Sequence, residues 1–361
     1  MKHIVFAISS LHGGGAERVV SVWASALAEK GYPVSVIVYA RVGNEYPIDA
    51  RVNVHPIASS TEACNAMSMV KRLQLFRNAL KKLKPSVIIS FLPVIQVYIS
   101  LAAIGLRIPR IETIRNNPWK IDLMKTKFAK LWLRCFRGCR ALILQSEDQR
   151  PFFHPSVQKK AVVIPNPINS LYIENQKAEY NATSHKIVAA GRLSAQKNYK
   201  TMIDAIKIVA QEYDDVSLDI YGIGEQEEYL RSYVKDQNLE GVVSFMGRSN
   251  ELYRIYQSAD VYVMSSDYEG MPNALAEAMA IGLPCISTDC KTGPRDLIDD
   301  GENGYLIPCG DAEVLAKKIT HVFSMSDDEQ KALGQNARRK VIDFCSKENS
   351  LNRLIQLIEQ I

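Results

Sequence analysis

The 361-residue chain lacks the hallmarks of several protein classes. It has no internal repeat and no low-complexity stretch, which excludes solenoids, propellers and largely disordered proteins. Its seven cysteines are odd in number and scattered. Neither Cys135 with Cys139 nor Cys285 with Cys290 has histidines at zinc-site spacing. We therefore interpret the cysteines as small buried hydrophobic residues in a reducing cytosol.

Long apolar runs are also scarce. The first eight residues are too short for the apolar region of a signal peptide and lead straight into a glycine-rich loop, so they predict a strand. Residues 87–106 carry no charge and are long enough to span a bilayer. Polar or helix-breaking residues interrupt this run at Ser90, Pro93, Gln96, Ser100 and Gly105. We expect a buried strand followed by a core helix there, and no membrane span.

Charge is distributed unevenly along the chain. Residues 1–170 hold 24 basic and 9 acidic side chains, whereas residues 171–361 hold 20 basic and 30 acidic ones. The two parts therefore carry formal charges of +15 and −10, which together give the overall +5. This asymmetry indicates that the first half faces an anionic surface.

Short apolar runs alternate with amphipathic segments twice along the chain. The predicted strands are 4–8, 33–39, 87–90, 110–114, 141–145 and 162–165, then 186–190, 216–221, 242–245, 261–264, 285–288 and 304–307. The predicted helices include 16–30, 67–83, 119–137, 199–212, 226–235, 272–281 and 314–323. This pattern predicts an α/β protein with two doubly wound, Rossmann-like domains.

A turn-forming break at residues 165–169 and the polar segment 176–184 indicate a hinge. We place the domains at 1–168 and 169–361, and the last helix could pack back on the first domain.

Residues 265–280 are the most informative segment. The apolar run 260–264 predicts a strand, and the apolar positions after Pro272 repeat at helical spacing until Gly282. The loop of Glu269 and Gly270 therefore lies at a helix N-terminus, which favours phosphate. The flanking carboxylates Glu269 and Glu277 suit the diol of a sugar ring; alternatively, both are ordinary solvated charges.

Glu269 and Glu277, with seven residues between them, resemble the donor-site signature of family 4 retaining glycosyltransferases. Gly282-Leu283-Pro284 and the turn at residues 300–304 fit the same family. The resemblance covers nearly the whole chain. It implies the GT-B fold, two Rossmann-like domains facing across a cleft. It also implies transfer of a hexose from a nucleotide diphosphate sugar with retention at the anomeric carbon.

The resemblance assigns most of the donor site to the second domain. Glu269 would hold the donor sugar, Glu277 the ribose, and Gly191, Arg192 and Lys197 the diphosphate. We assign catalytic roles to Glu269, Arg192 and Lys197. The other expected donor-binding residues are Gly270, Met271, Pro272, Asn273, Ala274, Arg248 and Ser249. Residues 221–224 are interpreted as a close-packing turn near the nucleotide.

In the first domain, the glycines at 13–15 follow the first strand. The dinucleotide fingerprint Gly-x-Gly-x-x-Gly fails here because Arg18 replaces the last glycine, and the second strand ends without an acidic residue. The loop instead resembles the family's Gly-Gly-Ala-Glu-Arg opening, so Gly14 and Gly15 would approach the donor diphosphate. A plain packing turn is the alternative, and His12 is a further polar candidate.

Arg115 and Asn116 follow another predicted strand, where many family members carry a histidine. Because that histidine is absent, no catalytic His can be carried over. Arg115 would contact an acceptor phosphate or the transferring sugar, or else is a solvated loop residue. With His12 they are the acceptor-side candidates. The chain also lacks any Asp-x-Asp motif, which holds the metal in the other large glycosyltransferase fold. We expect no catalytic metal and no cofactor, with the leaving diphosphate stabilised by cationic side chains and helix N-termini.

Residues 119–140, from Trp119 to Arg140, form the candidate membrane contact. The segment has an apolar stripe at Ile121, Met124, Phe128, Leu131, Trp132 and Cys135, and a basic face at Lys127, Lys130, Arg134 and Arg137. A basic amphipathic helix with tryptophan suits an anionic bilayer, although an ordinary domain helix is the alternative.

The sequence thus predicts a cytoplasmic enzyme at the inner face of the cell membrane. It would move a hexose, from a donor that we expect to be UDP-linked, to a lipid-linked saccharide in surface polysaccharide assembly, with no nucleic-acid partner. The alternative is a non-catalytic nucleotide-sugar-binding protein of the same fold.

Overall fold

The computed structural model describes residues 1–126, 128–180 and 185–361. Two compact units divide the chain: unit 1 comprises Met1–Pro167 and Lys347–Ile361, and unit 2 comprises Ile168–Ser346. The chain passes from one unit to the other after Pro167, next to the expected boundary at residue 168. Residues 176–180 belong to unit 2 rather than to a hinge, and residues 181–184 of that predicted hinge lie outside the described residues.

Unit 1 is built on a seven-stranded, fully parallel sheet in the order β3-β2-β1-β4-β5-β6-β7. Its strands are β1 Ile4–Ala7, β2 Val34–Val38, β3 Asn53–Pro56, β4 Val87–Ser90, β5 Arg110–Thr113, β6 Ala141–Leu144 and β7 Ala161–Val163. The strand order reverses between β1 and β4, and the carboxyl edge at such a switch point is where open α/β sheets bind ligands.

The central strands of this sheet are buried on both faces. All residues of β1, β2, β4 and β6 are buried, which explains why these strands are near-continuous runs of Val, Ile and Leu. The edge strand β3 was missed by the sequence analysis. Its end residues Asn53 and Pro56 are exposed, so it lacks the apolar run that marks the other strands.

The helices of unit 1 correct two predictions. They are α1 Gly15–Glu29, α2 Thr61–Ala66, α3 Met69–Leu83, α4 Pro93–Ala102, α5 Ala129–Arg137 and α6 Pro155–Gln158. The predicted helix 67–83 begins later, because the Ser68 hydroxyl accepts from the Lys71 N–H at 3.2 Å and caps α3. The predicted helix 119–137 is wrong: short 3₁₀ turns at Pro118–Lys120 and Asp122–Lys125 precede α5.

The C-terminal helix belongs to unit 1 although it follows unit 2 in the chain. After α14, described below, the chain forms α15, Lys347–Glu359. Leu351, Leu354 and Ile358 of this helix are part of the core that contains β1 and α1. The indole N–H of Trp23 donates to the Ser350 hydroxyl at 3.0 Å and ties the helix to α1.

Unit 2 has a six-stranded, fully parallel sheet in the order β10-β9-β8-β11-β12-β13. Its strands are β8 Lys186–Ala190, β9 Ser217–Tyr221, β10 Val243–Gly247, β11 Val261–Met264, β12 Cys285–Thr288 and β13 Tyr305–Ile307. The helices are α7 Ser170–Glu174, α8 Tyr199–Val209, α9 Glu227–Asp236, α10 Leu252–Ser258, α11 Asn273–Ile281, α12 Pro294–Leu297, α13 Ala312–Phe323 and α14 Asp327–Cys345. Its switch point lies between β8 and β11.

The uncharged segment 87–106 and the cysteines can now be placed in these units. Residues 87–106 form β4 and α4, a buried strand and a largely buried helix as predicted. No helix within the described ranges is long and apolar enough to cross a bilayer. All seven cysteines are free, and only Cys309 is exposed.

Candidate functional site

The switch point of unit 2 is bordered by two loops that carry most of the predicted donor residues. Residues 191–198 follow β8, and residues 265–272 follow β11. Because β8 and β11 are neighbouring parallel strands, both loops leave the same edge of the sheet. The tertiary structure therefore brings together residues that are about seventy positions apart in sequence.

A buried ion pair joins these loops. Lys197 Nζ lies 2.7 Å from Glu269 Oε1, and the two side chains are only 18% and 8% exposed. The Ser265 hydroxyl donates to the Lys197 carbonyl at 2.9 Å and fixes the backbone below the ammonium. The Tyr199 hydroxyl lies close by, and burial together with the Glu269 charge raises its pKa. Glu269 is thus a paired, buried group rather than a solvated loop charge.

Further hydrogen bonds hold the two loops in register. The Gln196 side-chain amide donates to the Tyr268 carbonyl at 2.7 Å, and the Asn198 amide donates to Asp267 Oδ1 at 2.9 Å. The Asp267 N–H in turn donates to the Gln196 carbonyl at 2.9 Å. Side chains on these loops are therefore positioned before any ligand binds, which favours recognition at low conformational cost.

Glycines let the neighbouring backbones come together. A Cβ on Gly222 would lie 1.8 Å from the Gly191 carbonyl oxygen, and a Cβ on Gly224 would lie 2.2 Å from the Leu193 oxygen. Only glycine fits at these two positions. The interpretation of residues 221–224 as a close-packing turn is confirmed. Gly191, whose carbonyl packs against Gly222, lies beside the Lys197 side chain.

A third loop supports Glu269 and was missed from the sequence. The buried Thr292 hydroxyl donates to the Glu269 carbonyl, and Thr292 has a φ of +74°. Gly293, with a φ of +95°, packs so closely that a Cβ there would lie 2.5 Å from the Gly270 oxygen. The Gly293-Pro294 pair after β12 was the available signal, since it marks a turn at the carboxyl edge of the sheet.

Helix α11 starts directly after the Glu269 loop. Pro272 is its N-cap residue rather than its first helical residue, and Gly282 ends it with a φ of +91°. The first N–H groups of an α-helix have no acceptor within the helix, so the start of α11 at Asn273 and Ala274 suits an anion. Glu277 is buried within α11 at 4% exposure, so it is not a solvated helix residue.

The other predicted donor residues differ in their exposure and in their contacts. Arg192 and Arg248 are exposed, and neither side chain makes a hydrogen bond or ion pair within the part of the chain that the structure describes. The Ser249 hydroxyl accepts from the Glu251 N–H at 3.0 Å. Gly270 and Met271, in the loop after β11, are both buried. Among the described residues, no group of three or more His, Cys, Asp or Glu side chains could hold a metal ion.

The switch point of unit 1 carries the glycine-rich loop. Gly14 is the N-cap of α1, Gly15 is its first residue, and Gly13 has a φ of +84°. A Cβ on Gly14 would lie 2.1 Å from a Glu17 carboxylate oxygen. The exposed His12 has its Nδ1 2.8 Å from the Asn44 carbonyl oxygen.

Arg115 lies in this unit with surroundings that the sequence analysis did not foresee. Its guanidinium carbon is 4.6 Å from the Trp23 ring centre and 5.1 Å from that of Phe91. Arg115 Nη1 donates to Asn166 Oδ1 at 2.9 Å. Arg115 is therefore not a solvated loop residue. The neighbouring Asn116 uses its Oδ1 to accept from the Asn117 N–H at 2.8 Å.

The basic segment at residues 119–140 is not the single amphipathic helix that the sequence predicts, because its helix α5 covers only Ala129–Arg137. Trp132, Cys135 and Phe136 are the buried residues of α5, whereas Phe128, assigned to the apolar stripe, is 39% exposed. The exposed basic residues of this helix are Lys130, Arg134 and Arg137, which share one face because their spacing is four and three positions. Lys127 lies outside the described residues.

Comparison with known proteins adds independent information. The profile "Glycosyl transferases group 1" matches residues 173–340, and "Glycosyltransferase Family 4" matches residues 13–170. An N-acetyl-D-galactosaminyltransferase of Campylobacter jejuni, whose name gives an undecaprenol-linked saccharide as its substrate, is 29% identical over 95% of both chains. AmsD of Erwinia amylovora, an amylovoran biosynthesis glycosyltransferase, is 25% identical over 92% of this chain and 93% of its own.

Solved structures share the same architecture. The crystal structure of Anabaena HepE in complex with UDP-glucose matches with a TM-score of 0.82 at 17% identity, covering 100% of both chains. At this identity the likeness shows the fold alone. It agrees with the two Rossmann-like sheets described above. The chain therefore belongs to the glycosyltransferases and has the GT-B fold.

Proposed function

We propose that this protein is a family 4 retaining glycosyltransferase that moves a hexose from UDP to a lipid-linked saccharide. The Lys197–Glu269 pair at the switch point of unit 2 carries this proposal, because it places a phosphate-seeking cation against a sugar-seeking carboxylate. The family 4 profile over residues 13–170 and the undecaprenol-linked substrate in the name of the Campylobacter relative support it.

Each donor residue has a role in this proposal. Lys197 and Arg192 bind the diphosphate, Glu269 holds hydroxyls of the transferred sugar, and Glu277 holds the ribose diol. Gly270, Met271, Pro272, Asn273 and Ala274 present the backbone of the α11 N-terminus, while Gly191, Arg248 and Ser249 border the nucleotide. In unit 1, Gly14 and Gly15 let the backbone approach the diphosphate, and His12, Arg115 and Asn116 lie on the acceptor side.

The chemistry requires charge stabilisation more than a dedicated protein base. As the bond to the anomeric carbon breaks, negative charge grows on the leaving diphosphate. Lys197, Arg192 and the N–H groups of α11 meet that charge, and a leaving-group oxygen accepts the proton of the acceptor hydroxyl on the same face. Glu269 keeps the Lys197 ammonium in place until the phosphate arrives.

Donor binding tests the assignment of Lys197. Lys197→Ala should weaken binding of UDP roughly 10- to 100-fold, because one charge-assisted hydrogen bond is lost. Calorimetric titration with UDP measures this, and Lys207→Ala, an exposed lysine of α8, is the matched control. Equal UDP affinities of Lys197→Ala and the parent protein would remove Lys197 from the site.

Turnover separates the enzyme from a non-catalytic binding protein. With UDP-hexose and a lipid-linked saccharide, UDP should be released only when the acceptor is present. The product, examined by NMR, should keep the anomeric configuration of the donor, and activity should persist in EDTA. Inversion of configuration, or loss of activity on chelation, would contradict the retaining, metal-free mechanism.

We also propose that α5 contacts the inner face of the cell membrane. Lys130, Arg134 and Arg137 are exposed on one helix face, next to the exposed Phe128. Each basic residue near an anionic bilayer contributes about 1 kcal/mol, and salt screens this attraction over about 8 Å at physiological ionic strength. Replacing all three with serine should reduce sedimentation with anionic liposomes. Triple replacement of Lys200, Lys207 and Lys235 in unit 2 should not.

A further inference from the structure

Arg115 occupies the position in unit 1 where a ligand is expected. It follows β5 directly, Phe91 follows β4, and Trp23 lies on the helix after β1. The Phe91 N–H donates to the Ala7 carbonyl at 2.9 Å, so this aromatic residue stands over the junction of β1 and β4. That junction is the switch point of the sheet.

The guanidinium is held in a fixed plane. Stacking on Trp23 and Phe91 restricts its rotation, and its hydrogen bond to Asn166 sets its direction. Asn166 is itself fixed, because its Oδ1 also accepts from the Gln145 side-chain amide at 2.9 Å. A planar donor fork held in this way loses little freedom when it binds an oxyanion.

The positive charge of Arg115 is not balanced nearby. Its Nε and Nη2 are shielded from water and have no hydrogen-bond acceptor in the described part of the chain. Burial lowers the pKa of Arg115 to about 9, and no carboxylate opposes this shift. The group therefore stays charged at neutral pH. Arg110 in the same unit differs, because it forms an ion pair with the buried carboxylate of Glu112.

A buried, unpaired cation is costly for folding, and an apolar side chain of similar size would serve the core better. Arg115 as a whole residue is nevertheless half-buried, so it is not sealed inside the core. We infer that Arg115 binds phosphoryl oxygens of the acceptor. This rests on the proposed function and makes the acceptor a phosphate ester or diphosphate, as in a lipid-linked saccharide.

Inorganic pyrophosphate is a suitable probe of this site. The full chain would first be saturated with UDP, so that the donor site is filled, and then titrated with pyrophosphate by calorimetry. Arg115→Gln should weaken the remaining pyrophosphate binding roughly 10- to 100-fold. Arg115→Lys, which keeps the charge but loses the fork, should fall between the parent and Arg115→Gln. Arg51→Gln, which removes an exposed arginine paired with Asp49, is the control.

Two further measurements separate binding from a structural role. UDP affinity of Arg115→Gln should equal that of the parent, so a defect in donor binding would be recognised separately. The Tm of Arg115→Gln should be unchanged or higher, because an unbalanced buried charge has been removed. Three results would overturn the inference: equal pyrophosphate affinity in parent and Arg115→Gln, pyrophosphate binding only in the absence of UDP, or tighter binding of glucuronate than of pyrophosphate.

Discussion

The two units share one topology but arrange charge at their switch points in opposite ways. In unit 2, Lys197 is paired with Glu269 at 2.7 Å, and both are largely buried. In unit 1, Arg115 is stacked on two aromatic rings and has no carboxylate partner among the described residues. The first site is electrically balanced without a ligand, whereas the second is not.

This difference indicates two modes of recognition. In the proposed donor site of unit 2, a sugar diphosphate exchanges partners with an existing ion pair, its phosphate binding Lys197 and its hydroxyls binding Glu269. A ligand of unit 1 needs only to supply the missing negative charge. A balanced pair favours specificity for a composite ligand, and an unbalanced cation favours any accessible oxyanion of suitable size.

Both sites also contain a strained backbone position. Leu92, next to Phe91, has a φ of +66°, and Thr292, which donates to the Glu269 carbonyl, has a φ of +74°. Bulky or β-branched residues rarely adopt such values, and they persist where the surrounding structure enforces them. The strain therefore coincides with the two candidate ligand sites.

The largest effect is expected from removing the carboxylate of the balanced site. Glu269→Ala should lower kcat by about 10²- to 10³-fold, as loss of a group that stabilises the transition state does. UDP affinity should be retained, because in the proposed site Glu269 holds the sugar rather than the nucleotide, and its loss frees Lys197 for phosphate. Steady-state kinetics and UDP calorimetry measure the two quantities, with the exposed Glu240→Ala as control. Parallel losses in both would mean that Glu269 supports the nucleotide instead.

The pH dependence of stability should distinguish unit 1, which buries the carboxylate of Glu112. Burial raises the pKa of Glu112 from 4.5 to about 7, against the opposing effect of Arg110. Because the pKa of Glu112 is higher in the folded protein than in the unfolded chain, protonated Glu112 stabilises the fold fully at pH values below 4.5. This stabilisation, up to roughly 3 kcal/mol, is lost as the pH rises through 7.

Urea unfolding of the parent and Glu112→Gln at pH 5 and pH 8 measures this contribution. The parent should lose more stability than the variant between the two values. Glu147→Gln, which removes an acid that is paired at the surface with Arg150, should behave like the parent. Identical pH dependence in all three proteins would argue against proton uptake by Glu112.

Removing the cation from each site tests the comparison directly. Lys197→Met should destabilise folding by about 2 kcal/mol, because it leaves the buried Glu269 carboxylate without a partner. Arg115→Met should cost less than that or even stabilise the fold. Thermal unfolding of the two variants side by side measures the difference. If Arg115→Met proved the more damaging, the two switch points would not differ as described.

The smallest effect is expected from the glycine contacts beneath the balanced site. Gly222→Ala places a methyl group against the Gly191 carbonyl and should cost at least about 1 kcal/mol of folding free energy, together with weaker UDP binding. Gly241→Ala is the control, since a Cβ there would meet nothing within 4 Å. Chemical denaturation compares the two variants. A fully tolerated Gly222→Ala would mean that the loops can move apart freely.

Local sequence determined much of the fold. Buried strands such as Val87–Ser90 and Val261–Met264 were predicted at their observed bounds, because parallel strands covered on both faces must be apolar throughout. Helix α11 and its end at Gly282 followed from apolar spacing and the need for a positive φ. Lys197 and Glu269 were singled out by motif, and Arg115 by its place after a strand. By contrast, the edge strand β3 and the true start of α5 were missed, because neither has a continuous local pattern.

Only the tertiary structure decided how the singled-out residues are paired. Lys197 and Glu269 lie 72 positions apart, and no local pattern reveals that β8 and β11 place them in contact. The support of Glu269 by Thr292, and the stacking of Arg115 on Trp23 and Phe91, likewise join residues from different strands and helices. Sequence sets the chemistry of each side chain, but the ionisation and orientation of a buried charge depend on neighbours that the sheet order alone brings within a few ångströms.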